Sequence, residues 1–195
     1  NDPAPMNGSQ LFGVLYGSQF KFDKEKMPAE IDALREKVMK EYEEGEKPER
    51  KKRILLTGCP SSGAPMKVVK AIEANGGNVV VYENCGGAKS VDRLIDEDAE
   101  DIYKAIAERY LAIGCSVMTP DNNRIELMGR LLEEYEIEGV VEMTLQACHT
   151  YNIEAKSIEK FVKSKGLPYI HVETDYSQAD IGQLDTRIAA FLEMI

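Results

Sequence analysis

The chain has 195 residues, 43% of them hydrophobic, which suits one globular domain with a real core and a helical extension. Its net charge of -10, with no basic stripe, argues against nucleic acid, because phosphate binding needs a basic face. No stretch approaches the roughly 18 apolar residues of a membrane span, and no signal-peptide pattern opens the chain, so a cytoplasmic protein with no membrane partner is expected.

Asn1 to Gln10 is polar and punctuated by Pro and Gly, and Leu11 to Tyr16 is a short apolar segment that could form a helix. Met27 to Glu44 reads as a helix: Met27, Ile31, Leu34, Val38 and Tyr42 recur at helical spacing with charges between them. Gly45 and Pro48 end it, and the basic run Lys47 to Arg53, broken by Pro48 and Glu49, reads as a solvated linker.

From Ile54 strand and helix signals alternate. Ile54–Leu56 is a buried strand by composition and length, followed by a helix over Ala64 to Ala74 that stops at Asn75-Gly76-Gly77. Val79–Tyr82 is a second strand. Helices are predicted over Ala99 to Ile113 and Asn122 to Glu136, with a third strand over Val140–Leu145. A helix over Ile153 to Lys165, a strand over Tyr169–Val172 and a helix over Ile181 to Met194 complete the series. This alternation predicts an α/β fold: a flavodoxin-like, doubly wound, four-stranded parallel sheet over residues 50–195, with residues 1–49 as an N-terminal extension holding an inter-domain helix.

Ligands of open parallel sheets bind outside the carboxyl ends of the strands. Of the four cysteines, Cys59, Cys85 and Cys148 fall in loops that follow predicted strands, and Cys115 lies in a loop between two helices. They are 26 to 33 residues apart, so zinc-ribbon spacing fails, and with no export signal disulfides are not expected. Free cysteines are commonly small buried hydrophobes. Three thiols at one sheet edge, with few histidines, suit an iron–sulfur cluster better than a hard metal, although the constellation alone leaves both readings open. Ser61-Ser62-Gly63, before a helix, could cradle an anion, but lacks the Lys of a P-loop and reads more simply as a turn. His149, beside Cys148, could donate a proton or a hydrogen bond, or simply bond the backbone. His171, inside a strand, reads as structural, and Glu173 and Asp175 could cap or bind a partner.

Several motifs occur in a fixed order. Thr57-Gly58-Cys59-Pro60 is followed by Glu83-Asn84-Cys85-Gly86-Gly87, then by Ala107-Glu108-Arg109-Tyr110 leading to Cys115-Ser116-Val117-Met118-Thr119-Pro120. Thr144-Leu145-Gln146-Ala147-Cys148-His149-Thr150-Tyr151-Asn152 and Glu173-Thr174-Asp175-Tyr176-Ser177 follow, and Gly182-Gln183 with Thr186 to Glu193 closes the series. Over about residues 50 to 195 this resembles the 2-hydroxyacyl-CoA dehydratase/benzoyl-CoA reductase family, D-component (beta-subunit-like) type, and most resembles its double-cubane-cluster proteins.

The resemblance implies a [4Fe–4S] or double-cubane iron–sulfur cluster between flavodoxin-like domains, and a separate ATP-hydrolysing iron–sulfur activator that delivers low-potential electrons. It implies dehydration of a 2-hydroxyacyl-CoA through a ketyl radical, or reduction of a small molecule. Carried over by motif, Cys148 is the first candidate ligand, Cys85 and Cys115 follow, Cys59 comes last, and His149 is the candidate catalytic residue. Family chains carry a further α/β domain upstream, so the chain reads as a fragment, inactive alone, that lacks an N-terminal domain and some ligands; a homodimer or heterodimer is expected. Two other readings compete: a flavodoxin-like module binding a flavin or nucleotide, and a non-catalytic assembly half.

Overall fold

The computed structural model describes residues 1–60 and 63–195, so Ser61 and Ser62 of the candidate anion cradle lie outside the described residues. Four parallel strands run β1 (Lys52–Gly58), β2 (Gly77–Tyr82), β3 (Gly139–Leu145) and β4 (Tyr169–Thr174). Their order in the sheet is β2-β1-β3-β4, as a flavodoxin-like crossover pattern requires.

Strand parity divides the core. Ile54 and Leu56 of β1 and Val141 and Met143 of β3 face α3 (Ala64–Ala74) and α8 (Ile181–Glu193), which bring Val68, Ile72, Leu184 and Ile188. Leu55 and Val140 face the other way, onto Leu127, Met128 and Leu131 of α6 (Asn122–Glu134) and Ile158 and Val162 of α7 (His149–Ser164). β2 breaks the alternation. Ile54 pairs with Val79 but Leu55 pairs with Val81, so Val80 is an extra residue, a bulge. In consequence Val79 and Tyr82 face α3 and α8, whereas Val81 faces α6.

The segment before the sheet forms two helices, α1 (Gly8–Gln19) and α2 (Met27–Glu44). α1 is longer than the apolar run Leu11 to Tyr16 because its cap lies upstream: Asn7 and Gln10 form a reciprocal capping box. It is part of the main core. Asn78 Oδ1 accepts from the Gly8 N–H at 2.8 Å, the Tyr82 hydroxyl donates to the Gly8 carbonyl at 2.7 Å, and Leu11, Phe12 and Leu15 pack against the α3–α8 face. A Cβ on Gly8 would lie 2.7 Å from Val79 Cβ, so only glycine permits this approach. α2 has the predicted bounds and buries Tyr42 alone; its charged faces stay in solvent.

Three other elements differ from expectation. The helix predicted over Ala99 to Ile113 is shorter, α5 (Ile102–Leu111), because Asp101 caps it by accepting from the Tyr103 and Lys104 N–H groups. A short α4 (Ala88–Val91) follows β2. α7 begins at His149, four residues before the predicted start. Ala147 adopts a left-handed conformation, with φ of 64°, and turns the chain so that Cys148 becomes the helix N-cap.

β1 ends on Gly58, whose φ is +105° and where a Cβ would collide with the Met143 carbonyl. Gly58→Ala is therefore expected to destabilise the fold by at least ~2 kcal/mol, from positive-φ strain and lost β1–β3 pairing. Urea unfolding followed by circular dichroism checks this; an unchanged midpoint would show that the turn can relax.

Candidate functional site

Because the sheet is parallel, the loops after β1, β2 and β3 emerge at one edge, and they carry Cys59, Cys85 and Cys148. The N-terminal end of α6, which leads back to β3, lies at the same edge. Gly114 packs against that end so closely that a Cβ would sit 2.6 Å from the Arg124 nitrogen, and this places Cys115 beside it. The Cys115–Pro120 loop faces the first turns of α7 across a cleft of about 370 Å³ that Ser116, Asp121, Thr150 and Glu154 help to line.

The four thiols have different surroundings, and all are unbridged. Cys59 is 3% exposed and belongs to the core. Its sulfur accepts from the Leu145 N–H at 3.3 Å, and burial pushes the thiol up to about 12. Cys148 is half-buried and lies close enough to Cys59 for the two to affect each other's proton. Burial alone would raise the Cys148 thiol. The facing Tyr151 N–H, the Thr150 hydroxyl at 3.7 Å and Cys59 outweigh it, and the thiol sits below its ordinary value. Cys85 is half-buried at the wall of a second cleft, of about 280 Å³, between α1 and the strand ends, where Phe12, Tyr16, Tyr82 and Tyr176 supply aromatic walls. Its sulfur is 3.9 Å from the Tyr151 hydroxyl.

His149 is the first residue of α7 and its side chain is exposed. His171 is bonded to the Thr144 hydroxyl at 2.7 Å inside the sheet layer. Glu173 accepts from the Asn152 amide at 2.9 Å, and Asp175 accepts from the Ser177 N–H at 2.7 Å, so both serve local structure. Among the described residues no three His, Cys, Asp or Glu side chains come together to hold a metal ion. The expected set Cys59, Cys85, Cys115 and Cys148 therefore shares an edge without forming a complete metal site among the described residues.

Beneath this edge lies a buried ionic cluster that the motifs and spacings do not announce. Arg124 of α6 is fully buried. It donates to the Thr57 hydroxyl at 2.8 Å, to Glu142 at 3.3 Å, to Glu83 at 3.4 Å and to Glu154. Lys89 Nζ, also fully buried, stands 3.4 Å from Glu83. Burial works against the Arg124 charge, but Glu83, Glu142 and Glu154 overcome it and hold the guanidinium protonated. Glu142 is raised by burial against the pull of Arg124 and of the Tyr169 hydroxyl, which donates to it at 2.7 Å. One signal was available: Arg124 stands in register with Leu127, Met128, Leu131 and Leu132, on the apolar stripe of its helix, where a charge needs a buried partner. Glu142, inside the apolar run Val140 to Met143, is the matching signal.

The sequence profile described as 2-hydroxyglutaryl-CoA dehydratase, D-component, matches residues 1–195. The chain belongs to this family. It is 48% identical over 195 residues to a protein of Escherichia coli K12 named as putative dehydratase subunit YjiM, a match covering 100% of the chain and 51% of that protein. It is 23% identical over 161 residues to the B subunit of benzoyl-CoA reductase from Thauera aromatica, covering 78% of the chain and 36% of the relative. With the beta subunit of (R)-2-hydroxyglutaryl-CoA dehydratase from Acidaminococcus fermentans it shares 23% identity over 133 residues, 66% of the chain and 35% of the relative. The D-component chain thus spans about half the length of these relatives or less, and belongs to a dehydratase-like enzyme family. The profile reaches residue 1, so α1 and α2 are family sequence, beyond the residues 50 to 195 that carry the motifs. No helix among the described residues is long and apolar enough to cross a membrane.

Two outcomes follow from the ionic cluster. Arg124→Met leaves Glu142 buried without its counter-ion and Glu83 with Lys89 alone, and should cost ~3–5 kcal/mol in urea unfolding. A loss below ~1 kcal/mol would mean that the carboxylates take up protons at little cost. The second outcome concerns Asp121, which caps α6 by accepting from the Arg124 N–H. Its carboxyl is raised from 3.8 to about 6 by burial and by the neighbouring Glu154 carboxylate, against the pull of the Arg124 N–H and Lys89. The folded state thus binds this proton more tightly than the unfolded state, so the group's stabilising contribution is full below pH 3.8 and is lost as pH rises through about 6. Asp121→Asn keeps the cap, so its stability relative to wild type should climb between these two pH values and then level off, as read from unfolding midpoints across pH.

Proposed function

We propose that the chain supplies part of the ligand set of an iron–sulfur cluster in a 2-hydroxyacyl-CoA dehydratase-like lyase or reductase. A separate ATP-hydrolysing iron–sulfur activator would serve as its low-potential electron donor. The observation that carries this reading is the Cys148 thiol. It is half-buried at the strand-end edge, held below its ordinary value, and shares that edge with Cys85 and Cys115. A thiol that gives up its proton readily, on a rigid turn, is the donor that iron takes.

The donor chemistry fits such a group, with Cys148, Cys85 and Cys115 as the residues that would hold it. Cys59, buried and bonded to Leu145, backs Cys148 from the core. The remaining ligands would come from outside these 195 residues, from a further domain or a partner protein. When bound, the cluster would supply reversible one-electron transfer at low potential. The chain's own residues do the rest. The aromatic walls around Cys85 would lower the polarity around that thiol. His149, exposed at the start of α7 beside Cys148, would serve as the proton donor to a substrate at this edge.

The test is iron and sulfide analysis of the anaerobically purified full-length protein, with absorption near ~400 nm, before and after Cys148→Ala. The variant should lose iron or change its spectrum and should lose ATP-dependent reduction. His149→Ala should keep its iron and turn over ~100-fold more slowly, because it removes a proton donor rather than a ligand. Iron content, spectrum and activity all unchanged in Cys148→Ala would make this thiol a packing group and end the reading. Structured flavin bands in place of the iron–sulfur absorption would favour a flavin module.

A further inference from the structure

Tyr151 stands in the first turn of α7 and is 6% exposed. Its hydroxyl is 3.9 Å from Cys85 Sγ. Two cations lie over its ring, Lys89 Nζ at 5.4 Å and Arg124 Cζ at 5.2 Å from the centroid. Both are fixed from below by Glu83. The ring is thus held by buried charges while its oxygen reaches a thiol on a neighbouring loop.

We infer that Tyr151 is a positioning residue that bonds the strand-end sulfur of Cys85 through its hydroxyl, and so raises the reduction potential of the iron site that this sulfur helps to hold. The inference rests on the cluster reading above. A thiolate bound to iron carries no proton, so the phenol must be the donor. Cations over the ring draw electron density from it and strengthen that donor. A hydrogen bond to a ligating sulfur withdraws negative charge from it and favours the electron-rich, reduced state. Neither the composition nor the spacing of the cysteines shows this; it comes from the fold bringing α7 across to the β2 loop.

Tyr151→Phe in the full-length protein removes one oxygen and keeps the ring, its cations and the backbone N–H. A dye-mediated redox titration followed by electron paramagnetic resonance, without activator or substrate, reads the result. Iron and sulfide per chain should match wild type. The ratio of reduced to oxidised cluster at a fixed solution potential should fall about tenfold, equivalent to ~59 mV more negative for one electron. Full iron with an unchanged potential would reduce Tyr151 to a packing residue and overturn the inference. A folded variant without iron would also overturn it, since the tyrosine would then be needed for assembly rather than tuning. Wild-type protein without iron or sulfide would end the cluster reading, and the inference with it, in a separate measurement. If Tyr151→Phe fails to fold, fluorotyrosine at position 151 keeps the hydroxyl and makes it a stronger acid. The potential should then rise, and no change would again overturn the inference.

Discussion

The edge of this sheet depends on one buried guanidinium. Arg124 reaches from α6 to Thr57 at the end of β1, to Glu83 after β2, to Glu142 in β3 and to Glu154 in α7. Taking such charges out of water is costly, and the cost is offset only when each partner is placed well. Apolar residues of similar volume could fill the same space with equal stability. They could not demand one arrangement of five separate elements. The thiols are carried on the loops and turns that issue from those elements. Their spacing is therefore set by charge pairing below the surface rather than by contacts between the sulfurs.

Each cysteine has been given a different chemistry by its position along that edge. Cys59 lies deepest and is held as a thiol by burial, whereas Cys148, one layer out, is biased toward losing its proton by the helix it caps. Cys85 meets a phenol, and Cys115 rides on a loop pinned by the Gly114 contact. A surface built in this way is polarised before any partner arrives, which suits a family whose longer members carry about as much chain again.

Much of the architecture was legible in the sequence because it follows from short-range rules. Apolar runs bounded by glycine marked the four strands, and α2 and α3 have the bounds that their periodicity and end signals predicted. The misjudged boundaries depend on a single cap or one unusual backbone angle. The α7 start needed the left-handed Ala147, a conformation that alanine rarely signals, and the α1 start needed the Asn7–Gln10 box. At the site, parallel strands place Cys59, Cys85 and Cys148 at one edge by topology alone. What lay hidden was Arg124 and its carboxylates, because the eye reads a helix stripe for its apolar members and passes over the charge among them. Tyr151 was visible as part of a motif, but its tie to Cys85 joins residues 66 apart and has no sequence signature.

The extra residue in β2 has an effect well beyond its own turn of chain. In a regular strand that starts with Val79 facing α3 and α8, every second residue returns to that side, and Glu83 would point there with them. Val80 shifts the count by one. Tyr82 is thereby delivered to α1 and Glu83 to Arg124, on opposite faces of the sheet. The bulge works as a phase-shifter: a change of one residue in strand length becomes a change in which layer receives a negative charge. The length of β2 is thereby tied to the electrostatics of a helix on the far side of it.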